Sequence, residues 1–258
     1  GDTNGLLVVG ADGDDGFGDA SIETGAVYQF FLNPVGPALE VSLLGIVGEG
    51  YVGPGDIDVA LDDGDFFGRS VATTGSELMV GAPGDDGFGN PGTVNNSGAV
   101  HLFATVSSAL AKVGTIGSGY GGVSSLDLAQ LGTGDAFGSA LSGDVAPEGT
   151  FVRLVVGAPF DEGAGDLGGG TADFGAVYNF VLPLLNFENS QHISTIGLGY
   201  TGPNDVDLSA IEVDDRFGIS VSVNGGRLAV GAQQDNGGFA GVGGAGAVYL
   251  FSFADNAF

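Results

Sequence analysis

The stretch VGAPGDDGFG, residues 80–89, joins the end of an apolar segment to two adjacent aspartates set among glycines. Closely similar stretches begin at Val9, Val156 and Val230, so the motif returns at intervals of 71, 76 and 74 residues. Self-similarity at a nearly constant spacing is the signature of a repeat architecture, in which each unit has the same local fold. The sequence therefore predicts about four copies of one structural unit.

Three further segments recur in the same order around this motif. A segment starting with Gly-Ala-Val follows each acidic stretch, a Gly-X-Gly-Tyr segment follows three of them, and a Phe-Gly pair precedes three of them. The recurring positions are Gly25, Gly98, Gly175 and Gly246, then Tyr51, Tyr120 and Tyr200, and then Phe67, Phe137 and Phe217. This alignment predicts a single domain with approximate repeats at residues 1–62, 63–132, 133–212 and 213–258.

The apolar positions of the repeat indicate β-strands. Each segment is a short apolar run or alternates in polarity, and none keeps a helical period over three turns. The 52 glycines fall between short Val, Leu and Phe runs, as expected for tight turns between short strands. Four-stranded units repeated around an axis form a β-propeller. We therefore predict an all-β fold, a β-propeller of four-stranded antiparallel blades in which the first and last blades are incomplete.

The charge of the chain limits its partners. Five Lys and Arg residues oppose 32 Asp and Glu residues, which gives a formal net charge of −27. A polyanion of this kind repels nucleic acids and anionic membrane surfaces, and it attracts divalent cations. The chain has no cysteine, so disulfides, thiolate metal sites and cysteine nucleophiles are excluded. No apolar run reaches the length of a membrane span, so we expect neither nucleic-acid binding nor membrane insertion.

The Phe-Gly pair, the Gly-Ala-Pro that follows Val80 and the GAVY segment together resemble the FG-GAP repeat. That repeat forms the propeller of integrin α subunits and of many bacterial surface proteins. The longer period here is similar to tandem repeats of large secreted bacterial adhesin-like proteins, which implies an extracellular or cell-surface location. The usual calcium site of the family is not implied, because the hairpins between the first and second strands are poor in carboxylates.

The acidic residues of the loop after the second strand are candidate calcium ligands. Calcium prefers about six to eight hard oxygens from carboxylates, carbonyls and water, and glycine-rich backbone can turn its carbonyls inward. The candidates are Asp12, Asp14, Asp15, Asp19, Asp85, Asp86, Asn90, Asp161, Glu162, Asp166 and Asp235. The alternative is turn formation, in which Asp and Asn accept hydrogen bonds from nearby backbone. In an up-and-down blade, the connectors that carry Asp65, Asp135 and Asp215 emerge at the same end as these loops.

The other recurrent aromatic residues favour packing over chemistry. Tyr51, Tyr120 and Tyr200 are expected to pack against a neighbouring repeat, and the alternative is an aromatic patch that binds carbohydrate. His101 occupies the place of a tyrosine in the other repeats, so we interpret it as a packing residue. No histidine has a plausible nucleophile partner, and the paired carboxylates recur in every unit, whereas a catalytic pair is normally unique. We therefore expect no enzymatic activity.

Both ends of the sequence fall within incomplete units, which would leave unpaired strand edges. Three interpretations of these incomplete units stay open. The chain closes as a small propeller, it belongs to a longer repeat protein, or it pairs with other copies of itself. We expect a non-enzymatic extracellular structural or adhesion protein, stabilised by calcium and able to form a homo-oligomer or polymer through open edge strands. The alternative is a carbohydrate- or protein-binding propeller whose acidic loop face contacts a glycan or another extracellular protein.

Overall fold

Every regular element in the described part of the chain is a β-strand. The computed structural model describes residues 5–35, 38–75, 77–89, 95–106, 109–165, 172–184, 187–237 and 244–253. Within these ranges the strands form four separate sheets, which we call blades 1 to 4 in chain order. No helix in the same ranges is long and apolar enough to cross a membrane. The predicted all-β class with four-stranded antiparallel blades is confirmed.

Each blade runs through its strands in order, so neighbours along the chain are neighbours in the sheet. The strands are β1 (Gly5–Ala11), β2 (Ala26–Val35), β3 (Ala38–Gly48), β4 (Ile57–Asp58), β5 (Ser70–Thr73), β6 (Glu77–Ala82), β7 (Ala99–Val106), β8 (Ala109–Gly117), β9 (Leu126–Asp127), β10 (Ala140–Val145), β11 (Phe151–Ala158), β12 (Ala176–Pro183), β13 (Gln191–Gly197), β14 (Val206–Asp207), β15 (Phe217–Asn224), β16 (Arg227–Ala232) and β17 (Ala247–Ser252). Blade 1 is β1–β4, blade 2 is β5–β9, blade 3 is β10–β14 and blade 4 is β15–β17.

Three blades carry a short extra strand that the sequence did not predict. The long strands of each blade pair antiparallel, whereas β4, β9 and β14 pair parallel with β3, β8 and β13. The repeated aspartate of the connector explains this addition. Asp127 at the end of β9 accepts a hydrogen bond from the backbone nitrogen of Gly119 at 2.7 Å, which folds the connector back onto the turn after β8. Asp58 and Asp207 make the same bond in blades 1 and 3.

Close backbone contact between blades explains two glycines of the repeat. Gly81 in β6 lies against the carbonyl oxygen of Gly138 in the next blade, and even a Cβ atom at Gly81 would overlap that oxygen. The equivalent contacts join Gly10 to Gly68 and Gly157 to Gly218. A side chain at these positions would displace the following blade. The glycine of Val-Gly-Ala in one blade and the glycine of Phe-Gly in the next blade are therefore in direct backbone contact.

The apolar core lies between successive blades. Phe137, which is fully buried, packs edge-on against Tyr178 and Phe180 of its own blade, with ring centroids 5.4 and 6.0 Å apart. Met79 and Leu102 of blade 2 belong to the same cluster. Equivalent clusters surround Phe67 and Phe217. The Phe-Gly pair thus places its phenylalanine on its own blade and its glycine on the preceding blade.

The two ends of the series of blades are uncovered. Packing joins blade 1 to blade 2, blade 2 to blade 3 and blade 3 to blade 4, and no described strand of blade 4 packs extensively on blade 1. Leu7 and Val9 in β1 and Val248 and Leu250 in β17 are consequently exposed. Over the described ranges, the four sheets do not close into a ring.

Candidate functional site

The acidic loops lie at one end of each blade. These loops, residues 12–25, 83–98, 159–175 and 233–246, connect the second and third strands of the repeat. Isolated parallel bridges between Gly25 and Phe67 and between Gly98 and Phe137 join the end of a loop to the connector that enters the next blade. We call this side of the molecule the acidic end. The loops and the connectors before Phe-Gly therefore share one end, as the topology predicts.

Asp161 in blade 3 is a buried carboxylate held by two tyrosines. The hydroxyl of Tyr178 donates to Oδ2 at 2.6 Å, and the hydroxyl of Tyr200 donates to the two carboxylate oxygens at 2.9 and 3.1 Å. The backbone nitrogen of Gly163 donates to Oδ1 at 2.8 Å. Burial raises the pKa of Asp161 above its ordinary value, although each of these hydrogen bonds acts to lower it. This carboxylate is an internal anchor of the loop.

The same anchor occurs at the equivalent aspartate of the other blades. Asp14 accepts from Tyr28 and Tyr51 at 2.7 and 2.9 Å. Asp235 accepts from Tyr249 at 2.6 Å, and Asp85 accepts from Tyr120 at 2.8 Å. The hydroxyls of Tyr51, Tyr120 and Tyr200 bind the aspartate of their own repeat, and the ring of Tyr200 also belongs to the core cluster shared by blades 2 and 3, in line with the packing expected of these tyrosines. The reason is that the Gly-X-Gly-Tyr turn folds over the acidic loop of the same blade.

His101 replaces the first tyrosine of the anchor in blade 2. Its Nε2 lies 3.4 Å from Oδ2 of Asp85, and the ring packs edge-on against Phe67 at 5.4 Å. Burial lowers the pKa of His101, so the imidazole is neutral at pH 7. The position holds a packing residue, as the sequence indicated.

The remaining predicted ligands have varied surroundings. Asp15 accepts from the backbone nitrogen of Glu23 at 2.9 Å, and Asp86 accepts from the backbone nitrogens of Asn95 and Asn96 at 2.7 and 2.8 Å. These bonds are the turn chemistry that we weighed as the alternative to calcium. Asp12 forms an ion pair with Arg69 at 2.9 Å. The backbone of Asp19 has a positive φ of 53°, and Glu162 is buried. Asn90 and Asp166 lie outside the described residues.

A small polar cavity lies at the acidic end of blade 2. Its volume is about 120 Å³, and its walls include Asp62 and Asp65 from the connector and Asp85 and Asp86 from the acidic loop. Burial raises the pKa of Asp65 to about 7, and the charges of the other three carboxylates add to this effect. Asp65 and Asp62 were missing from the predicted ligands. Their signal in the sequence was the recurrent acidic connector just before Phe-Gly.

Blade 3 gathers carboxylates in the same place. Asp135 in its connector is buried, and burial together with the nearby Asp161 and Glu162 raises its pKa to about 8. In blade 4 burial and the charge of Asp235 raise the pKa of Asp215. Over the described ranges, however, no three acidic or histidine side chains are arranged to chelate a metal ion by themselves. Calcium binding stays a prediction.

Comparison with known proteins bears on the repeat. No curated protein sequence is significantly similar to this one. Among solved structures, the periplasmic gluconolactonase PpgL of Pseudomonas aeruginosa is similar, with a TM-score of 0.38 and 11% identity over 97% of this chain. The match covers 50% of PpgL, so the chain spans about half the length of that protein. The FG-GAP repeat matches residues 61–103 and 209–251, which contain the first two strands of blades 2 and 4 and most of the third. Two of the four blades therefore match the FG-GAP repeat, and the other two run through their strands in the same sequential order.

Proposed function

We propose that the chain is a non-enzymatic extracellular module for surface structure or adhesion, and that calcium binds at its acidic end and stabilises it. The observation that carries this proposal is the cavity of blade 2, where the connector and the acidic loop bring four carboxylates together. The extracellular role is supported by the FG-GAP repeat, which also occurs in bacterial surface proteins. The absence of catalysis is supported by the recurrence of the same loop aspartate in all four blades, where in each blade it accepts a hydrogen bond from at least one tyrosine hydroxyl.

The chemistry of the cavity suits calcium. Asp62, Asp65, Asp85 and Asp86 line the cavity together with Gly87 of the acidic loop, so carboxylate and backbone carbonyl groups, the types of ligand that calcium prefers, belong to its walls. Calcium accepts such mixed sets and completes its shell with water, so it does not require three carboxylates in ideal positions beforehand. Burial raises the pKa of Asp65 and the neighbouring carboxylates add to this effect, so a divalent cation would also relieve the repulsion among them.

A cation at this place would stabilise the junction between two blades. Asp62 and Asp65 belong to the connector that arrives from blade 1, whereas Asp85 and Asp86 belong to blade 2 itself. An ion bound by both segments therefore holds the connector against the loop and resists separation of the two blades. The equivalent connectors carry Asp135 and Asp215, so the same role extends along the chain.

Calcium titration of chelator-treated protein tests the proposal. If calcium reaches about one hundred times its Kd, it adds about 2.7 kcal/mol to the free energy of unfolding. For a domain of this size that corresponds to a rise in Tm of about 5–11 °C. The variant Asp86→Asn should weaken the response, because the amide keeps the backbone hydrogen bonds and removes one charged ligand. Glu40→Gln removes a charge from an exposed position in β3 and should respond as the unchanged protein does.

The outcomes separate clearly. Magnesium at the same concentration should shift the Tm much less, because it demands stricter octahedral geometry and dehydrates reluctantly. An unchanged Tm at millimolar calcium would contradict calcium binding. Equal responses of Asp86→Asn and Glu40→Gln would show that calcium acts on the net charge and not in the cavity.

A second candidate function is recognition of carbohydrate at the acidic end. Phe17 and Phe88, in the acidic loops of blades 1 and 2, are 64% and 68% exposed. They pack against Tyr51 and Tyr120, with ring centroids 5.9 and 5.8 Å apart, which holds each ring in place at the surface. Exposed aromatic rings beside carboxylates suit stacking against a sugar. A glycan array with calcium and with chelator tests this function, and the double variant Phe17→Ala with Phe88→Ala should abolish any binding without lowering the Tm.

A further inference from the structure

A groove lies where blade 3 meets the connector that arrives from blade 2. Its volume is about 640 Å³, within the range of about 300–1,000 Å³ that is usual for sites that bind small molecules. Its lining comes from β13 and the turn after it, from the acidic loop of blade 3, and from Ala129 and Gln130 of the connector between β9 and β10. The groove therefore belongs to the two middle blades and depends on neither end of the series.

In blades 1 and 2 a phenylalanine of the acidic loop occupies the place that an alanine has at this groove. The backbone nitrogen of Phe88 donates to the carbonyl oxygen of Ser118 in the Gly-X-Gly-Tyr turn at 3.0 Å. The backbone nitrogen of Ala164 makes the same bond to Leu198 in blade 3 at 2.9 Å, and Phe17 makes it in blade 1. Blades 1 and 2 therefore have a phenyl ring where blade 3 has only a methyl group.

The missing ring changes the surroundings of the repeated tyrosine. In blade 2 the ring of Phe88 packs against Tyr120, with ring centroids 5.8 Å apart. The equivalent tyrosine of blade 3, Tyr200, is largely buried but lines the groove together with Ala164. Its hydroxyl donates to Asp161 at 2.9 Å, which holds the ring in place. A fixed aromatic ring therefore forms part of the wall at the place where another ring packs in blade 2.

A histidine of the groove is a second difference between blades 2 and 3. Lys112 in β8 pairs with Phe103, and His192 in β13 pairs with Phe180, so the lysine and the histidine are equivalent. The imidazole of His192 packs on the ring of Phe180 with centroids 5.3 Å apart, and its Nε2 lies 3.0 Å from Oγ1 of Thr195. Burial lowers the pKa of His192, so the ring is neutral at pH 7. Blade 3 therefore has an uncharged and oriented polar group where blade 2 has a lysine.

The polar side chains of the groove favour an uncharged ligand. Gln130 and Asn204 are exposed and line it, and an amide side chain both donates and accepts hydrogen bonds. Asp205 also lines the groove, but its two oxygens accept from the backbone nitrogens of Thr195 and Gly202, each at 2.8 Å. The net charge of −27 opposes the binding of an anion. Neutral amides and an imidazole beside an aromatic ring suit a ligand that carries several hydroxyl groups.

We propose that this groove binds one pyranose ring of a neutral saccharide. The apolar face of the sugar would lie against Tyr200, in the space that Phe88 fills in blade 2. The sugar hydroxyls would bond to the amides of Gln130 and Asn204 and to the imidazole of His192. Apolar and aromatic surface with a few placed polar groups is the usual composition of a small-molecule site.

This site rests on the carbohydrate function proposed above only in the class of its ligand. It uses neither Phe17 nor Phe88, whose exposed rings carry that function, and it uses none of the four carboxylates of the cavity in blade 2. Binding in the groove is therefore expected in the presence of chelator and in variants that lack the two exposed rings.

Saturation-transfer NMR on the intact chain in chelator tests the proposal. The probes are glucose, galactose, mannose and N-acetylglucosamine, and a titration of each sugar gives its Kd. We expect at least one of them to bind saturably and to receive the strongest transfer at the C–H groups of one ring face. Ala164→Phe should abolish this binding without lowering the Tm, because it restores the ring that blades 1 and 2 have in this place. Gln130→Ala should weaken the binding several-fold, and the Tm should not change because this side chain is exposed.

Four results would overturn the proposal. They are no saturable binding of any of the four sugars, equal binding by Ala164→Phe and the unchanged chain, loss of binding in the double variant Phe17→Ala with Phe88→Ala, and tighter binding of N-acetylphenylalaninamide that Ala164→Phe abolishes. The third result would assign the sugar to the rings of the acidic loops. The fourth would assign the groove to an aromatic side chain of a protein partner. None of these results alters the expected response of the Tm to calcium.

Discussion

Replacing Tyr178 with phenylalanine tests whether the aspartates of the acidic loops are internal anchors. The change removes the hydroxyl that donates to Asp161 at 2.6 Å and leaves the ring in its buried place. Asp161 keeps its bonds from Tyr200 and from the nitrogen of Gly163, so the carboxylate is weakened but not orphaned. A hydrogen bond to a charged group contributes about 1.5–3 kcal/mol. We therefore expect a loss of about 2 kcal/mol in the free energy of unfolding, or about 4–8 °C in Tm.

Tyr249→Phe is the matched control. Its hydroxyl donates to Asp235 at the same 2.6 Å, but Tyr249 is only half-buried, so water can replace the lost donor. The expected loss there is about 0.5–1 kcal/mol. Urea unfolding of both variants in chelator measures the difference, and the pKa of Asp161 should rise in Tyr178→Phe. Equal losses in the two variants, or a loss below about 0.5 kcal/mol at Tyr178, would refute the reasoning.

Three other predictions rest on single contacts. His101→Tyr should add a hydroxyl bond to Asp85 and raise the free energy of unfolding by about 1 kcal/mol in urea, whereas a lower value would mean that blade 2 cannot hold the larger ring. Burial raises the pKa of Asp135 to about 8, so its contribution to the stability of the fold is complete below about pH 4 and is lost as the pH rises through 8. In the presence of chelator, the urea midpoint should therefore be lower at alkaline pH than at mildly acidic pH. The variant Asp135→Asn should flatten this pH dependence. Gly157→Ala would overlap a carbonyl of the next blade and should cost about 1–3 kcal/mol or more, whereas Gly13→Ala, with open space around it, should change the Tm little. Similar Tm values for the two glycine variants would contradict the contact between blades.

The repeat made the blades predictable from the sequence. The spacing of Val-Gly-Ala and Gly-Ala-Val placed two strands in each of the four units, and Phe-Gly placed one more strand in three of them. The topology of an up-and-down blade then put the acidic loops and the connectors at one end. Phe67, Phe137 and Phe217 are fully buried, as their repetition indicated.

The partners of the aspartates were harder to predict. Tyr178 lies 17 residues from Asp161 and Tyr200 lies 39 residues away, so their hydrogen bonds depend on the pairing register and on the fold of the turn after β13. The joint recurrence of aspartate and tyrosine in the repeats was the available signal. In the sequence the aspartates suggest calcium ligands and the tyrosines suggest packing, and only the fold connects the two sets.

Every Phe-Gly turn sits on the Val-Gly-Ala glycine of the blade before it, which gives the chain a direction. During synthesis the earlier blade leaves the ribosome first, so its glycine surface is complete when the later turn emerges. Each new blade can then pack on a preceding blade that is already folded. We therefore expect the blades to fold in the order in which they are translated.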